Sequence, residues 1–88
     1  MSNAETQKTT TEFLTDVTSQ LKEMRHYAQT NTETLSAQWL AFDAGEHKNK
    51  DYAERINNLL TLQGKLLDEL ESVIQDIDIE VNHIEQES

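Results

Sequence analysis

From Leu14 onward, apolar side chains return every seven residues. Leu14, Leu21, Ala28, Leu35 and Phe42 form one column, called a, and Val17, Met24, Asn31 and Gln38 form a companion column, d. This is the spacing of a helix that buries one stripe, and Thr9 followed by Glu12 supplies a capping box for its start. The pattern lapses at Ala44-Gly-Glu-His-Lys-Asn-Lys50. There Gly45 suits the left-handed conformation that ends a helix, and Asn49 or Asp51 suits the cap of the next. Ile56, Gln63, Leu70, Ile77 and Ile84 then resume column a, with Tyr52, Leu59, Leu66 and Val73 in column d. The expected organisation is a disordered lead-in over residues 1–9 and a single domain over 10–88. Within it a first helix covers about 10–44, a turn 45–49 and a second helix about 50–85. The fold class is all-α: an antiparallel two-helix hairpin, coiled-coil-like, completed into a bundle by a partner chain.

Folding the chain back near residue 47 sets Leu21 against Val73, Met24 against Leu70, Ala28 against Leu66, Leu35 against Leu59 and Phe42 against Tyr52, so that a meets d. The same register places Asn31 opposite Gln63, and a cross-helix amide pair is expected to set the register there. Thr30-Asn31-Thr32-Glu33-Thr34 is a run of poor helix formers, and a break there would give a three-helix bundle. The unbroken helix is preferred because the phase set by Leu14, Leu21 and Ala28 continues at Leu35 and Phe42. Gly64, at the same level, weakens this layer by roughly 1 kcal/mol.

The second helix carries more apolar surface than one neighbour covers. Ala53, Leu60, Leu67, Ile74 and Val81 form a further complete column, e, and the first helix offers Trp39 at that position together with Thr18, Arg25 and Thr32. In an antiparallel pair the two e columns border one edge, so Trp39, Ala53, Leu60, Leu67, Ile74 and Val81 are the expected partner-binding residues. Two helices alone give too little core for independent stability, so either a helical protein partner or a second copy is expected. If Leu67→Glu combined with Ile74→Lys leaves the chain folded and still bound to its partner, the binding surface moves to the opposite edge, near Phe13, Tyr27 and Leu62.

Charge narrows the partner. Seventeen acidic against seven basic residues give a net charge of −10, which repels nucleic-acid phosphates and anionic lipid. No apolar stretch approaches the roughly 20 residues that span a bilayer, and Met1 to Thr11 has no apolar signal core. Neither nucleic-acid binding nor membrane insertion is expected. The expected location is the cytoplasm, with co-secretion alongside a partner left open. After Lys65 every charged residue is acidic, from Asp68 to Glu87, which favours a basic surface on the partner. The chain has no Cys. Glu23-x-x-His26 has the spacing used in carboxylate-bridged di-iron bundles, with Asp68 and Glu71 opposite. With Leu21 at a, however, Glu23 and His26 fall at c and f, facing away from the second helix. With no P-loop, no Gly-rich nucleotide loop and no Ser–His–Asp set either, no catalytic residue, cofactor or metal site is expected.

The layout resembles the WXG100, or ESAT-6-like, proteins of type VII secretion: a chain of comparable length, an antiparallel hairpin of two long helices, no Cys, and a Trp, here Trp39, close to the turn. The likeness covers about residues 10–85 in architecture. The chain reads Trp39-Leu-Ala-Phe-Asp-Ala-Gly45 where that family has a Trp-x-Gly turn, and no Tyr follows Tyr52 to supply its C-terminal Tyr-x-x-x-Asp/Glu export signal. What the resemblance then implies is a distant helical accessory protein. Such a protein is a non-enzymatic adaptor or targeting chaperone that packs on the N-terminal helical region of a type VII effector, with the export information in the partner or in the composite surface. A structural homodimeric four-helix bundle, a small chaperone of type III secretion and a short subunit of a coiled-coil tethering complex share the same architecture and stay open as alternatives.

Overall fold

A computed structural model describes residues 9–87 as two helices joined by one tight turn, α1 (Thr10–Asp43) and α2 (Lys50–Glu87). Residues 1–8 of the expected lead-in lie outside the described residues. Thr9 is the N-cap of α1: its Oγ accepts from the Glu12 amide at 3.1 Å while its own amide donates to Glu12 Oε1 at 3.0 Å. Two of the free donors of the first turn are satisfied in this way.

α1 runs unbroken through the threonine-rich stretch, so there is no third helix among the described residues. The Thr30, Thr32 and Thr34 hydroxyls donate to the carbonyls of His26, Ala28 and Thr30, one turn back. Each hydroxyl thus bonds within α1 instead of capping a new helix, a back-bonding that weakens the helix slightly without breaking it.

The turn departs from expectation at Gly45. No described glycine has positive φ, and α1 ends on Ala44, at φ −141°, whose amide donates to the Leu40 carbonyl. Gly45 is required for room instead: a Cβ there would stand 2.9 Å from both Cα and O of Ala41. Asn49 rather than Asp51 opens α2. Its Oδ1 accepts from the Tyr52 amide at 3.1 Å, and its own amide donates to the Phe42 carbonyl at 2.8 Å, tying the start of α2 to the end of α1.

The helices pack antiparallel, but the seam is not a against d. On α1 its buried and half-buried series runs Leu14, Thr18, Leu21, Arg25, Ala28, Thr32, Leu35, Trp39 and Phe42, with Val17 of column d also half-buried near the start. On α2 it runs Ala53, Ile56, Leu60, Gln63, Leu67, Leu70, Ile74, Ile77, Val81 and Ile84. These are columns a and e, so each helix is turned by roughly 50° about its axis from an a/d seam. Leu21 and Leu67 pack on a cluster of Ala28, Leu70 and Ile74, while Val73, expected against Leu21, is exposed. Met24, Leu59 and Leu66 are likewise exposed. Of the expected pairs, Phe42 and Tyr52 meet edge to face with ring centroids 5.4 Å apart.

Polar satisfaction explains the rotation. Burying column d of α1 would bury Asn31 and Gln38, whose amides each need several partners. Burying column e buries threonines that satisfy themselves: Thr18 donates to the Leu14 carbonyl at 2.9 Å, and Thr32 to that of Ala28 at 3.0 Å. Arg25, in the same column, reaches Glu71 across the seam. On α2 column e is uniformly apolar, whereas column d ends in Glu80 and Glu87.

The resulting core is thin. Among the described residues the buried apolar side chains are Ala28, Ala53, Leu70 and Ile74, each 3–5% exposed. The molecule is a rod, with a radius of gyration of 19.6 Å where a compact chain of this length would have about 12 Å.

Candidate functional site

The a/e seam decides where each candidate residue lies. Ala53 and Ile74 are buried between the helices, and Trp39, Leu60, Leu67 and Val81 are half-buried in the same stripe. Of the six residues expected to meet a partner, Ala53 and Ile74 are therefore buried in the seam and the other four are partly covered by it. The predicted amide pair does not form either: Asn31 is exposed, and the Oε1 of Gln63 is buried with no hydrogen-bond partner.

Turning e inward turns d outward. About a helix axis, column d stands roughly 80° from the centre of an a/e seam, with g beyond it on the same side. In an antiparallel pair the d and g columns of both helices line one broad face of the hairpin. The exposed large apolar residues concentrate there: Phe13, Met24 and Tyr27 on α1, and Tyr52, Leu59, Leu62, Leu66 and Val73 on α2. Only Leu40 and Ile79, among the exposed large apolar residues, fall in other columns. Phe13, Tyr27 and Leu62, named above for the opposite edge, all lie on this face.

Near its middle the face carries a groove of about 290 Å³ lined by Asn31, Thr34, Leu35, Gln38, Leu59 and Gln63. The lining confirms that the d columns of α1 and α2 share one side. It also gathers three side-chain amides beside two leucines, so the groove offers hydrogen-bonding groups within an apolar surround. Arg55 borders the same face, its guanidinium 5.9 Å from the centre of the Tyr52 ring and its Nη1 3.7 Å from Asp51.

The opposite broad face is ionic. Lys22 stands 3.9 Å from Asp78, and Arg25 pairs with Glu71, each bridging α1 to α2. Exposed pairs of this kind are worth at most about 1 kcal/mol each, so they hold register more than they stabilise. Glu23 and His26 are exposed on α1, and no group of three His, Cys, Asp or Glu among the described residues is placed to hold a metal. No described helix is long and apolar enough to cross a membrane.

The d/g face was legible in one signal that the apolar count alone hides. Of the two columns flanking a on α1, the one carrying amides has to stay outside, because threonines can close their own hydrogen bonds and amides cannot. The chain matches no protein-family model, and no curated protein or solved structure is significantly similar to it.

Proposed function

We propose that this chain is a non-enzymatic, protein-binding adaptor that presents its d/g face to a helical partner and so completes a bundle of which it supplies two helices. The observation that carries this is the contrast between a seam burying four apolar side chains and a single face exposing eight large ones. A helix laid along that face would bury Leu59, Leu62, Leu66 and Val73 together with Met24 and Tyr27, in the manner of an amphipathic helix in a groove. The acidic run of α2 from Asp68 to Glu87 borders this surface and favours basic residues on the partner's flank. Within this reading the chain serves as a targeting chaperone that accompanies a type VII effector by packing on its N-terminal helical region. Its support is the hairpin layout with Trp39 near the turn.

The test is co-purification from the native organism with Leu62→Glu and Leu66→Lys combined. The double variant should stay helical by circular dichroism and lose a partner that the unmodified chain retains. A variant that remains helical and keeps the partner overturns the assignment of this face.

A further inference from the structure

We infer that the d/g face also takes a second copy of this chain, laid antiparallel across it as a four-helix bundle; this rests on the reading that the face is the working surface. Its charge pattern selects that occupant. From Phe13 through Tyr27 to Ala41, every d and g position of α1 is uncharged in a chain whose net charge is −10. Two α1 helices therefore meet there without like-charge contact.

On α2 the column-d residues from Leu59 to Val73 are self-complementary about Leu66, with Glu69 of column g beside the axis. Leu59 and Val73 lie seven residues to either side of Leu66 in column d. Arg55 lies eleven residues before it and Asp76 ten after, both in column g. A two-fold axis crossing the helices at Leu66 sets Leu59 against Val73 of the second copy and brings Arg55 level with Asp76 of the second copy. Arg55 already sits over the ring of Tyr52, a column-d residue, which holds its charge toward this face. The same operation lays the acidic end of each α2 over the other copy's turn, where Lys48 and Lys50 stand among Asp43, Glu46 and Asp51 and the charge is close to balanced. A parallel pairing would instead stack the two acidic ends, so electrostatics separates the two arrangements. Two helices side by side present a face about 20 Å wide and some 50 Å long, roughly 1,000 Å². That exceeds the roughly 800 Å² per partner of a stable interface.

The test uses the full chain in sedimentation velocity, with Arg55→Asp and Asp76→Arg made as separate variants. Both positions are exposed, so each hairpin should keep its helicity by circular dichroism. The unmodified chain should sediment as a dimer at high micromolar concentration, and each variant alone should self-associate roughly tenfold more weakly. Mixing the two should restore dimers containing one copy of each, because both symmetry-related pairs are again of opposite sign. A monomeric unmodified chain overturns the inference, and so does a mixture that associates no better than its components. If the unmodified chain is monomeric yet still binds a helical partner through Leu66, self-association fails while the adaptor reading stands.

Discussion

Replacing Ile74 by Ala and, separately, Leu66 by Ala distinguishes the seam from the face. Ile74 is 4% exposed and clusters with Ala28 and Leu70, flanked by Leu21 and Leu67. Truncating a side chain so enclosed removes its transfer energy and leaves a cavity, about 2–5 kcal/mol in all. Leu66 is 41% exposed, so only part of the roughly 1.5–3 kcal/mol of a fully buried leucine is at stake, about 1 kcal/mol. An 88-residue rod with so few buried residues has only a few kcal/mol of stability. Ile74→Ala therefore removes most of it, and Leu66→Ala little. The assay is urea unfolding followed by far-ultraviolet circular dichroism, at a concentration low enough that sedimentation shows single hairpins. Ile74→Ala should cost at least about 1 kcal/mol more than Leu66→Ala. At high concentration Leu66→Ala should suffer in addition, through lost association. Equal losses at low concentration, or a larger loss for Leu66→Ala, would refute an a/e seam and return column d to the interior.

The two glycines should respond in opposite directions: Gly64→Ala, with nothing within 4 Å of the added methyl, should stabilise by about 1 kcal/mol, read from the urea midpoint. Gly45→Ala drives its Cβ to 2.9 Å from the Ala41 backbone and should destabilise by about 1–3 kcal/mol in the same assay. Gln63→Leu removes a buried carbonyl oxygen that has no partner and should raise the stability of the single hairpin by roughly 1–2 kcal/mol. A loss of stability on Gln63→Leu would mean that the amide is satisfied.

The helix count, the capping box at Thr9 and Glu12 and the meeting of Phe42 with Tyr52 were all legible in the sequence, because each follows from local chemistry or from seven-residue spacing. The facing of the helices was not. On α2 columns a, d and e are all largely apolar, so periodicity alone admits two seams, a with d and a with e. The choice falls to α1, where d holds Asn31 and Gln38 and e holds Thr18, Arg25, Thr32 and Trp39. Counting apolar residues favours d, with Val17 and Met24 against Trp39; asking which polar groups can be satisfied when buried favours e. The conformation of Gly45 was hidden for a related reason, since the close approach of Ala41 depends on how the turn closes, and that in turn on the bond from Asn49 to the Phe42 carbonyl.

The same distinction assigns the polar layer a different task from the one its position in the sequence suggests. Within the hairpin, Gln63 and Asn31 do not bond to each other, so they add nothing to the pairing of α1 with α2. On the open face they line a groove with Gln38. A partner that covers this groove with an apolar side chain strips water from the exposed amides of Asn31 and Gln38, at about 1–3 kcal/mol for each group left unpaired. A partner that brings hydrogen-bonding groups to this level avoids that cost. The layer thus selects partner and register from outside, while the surrounding leucines supply the affinity. A second copy meets the requirement. Leu66 lies between the level of Gln63, which shares the groove with Asn31, and that of Leu70, which packs on Ala28. A two-fold axis at Leu66 therefore passes close to Asn31 on α1. The amide of each copy then comes level with that of the other, and each can supply the partner that the single hairpin lacks.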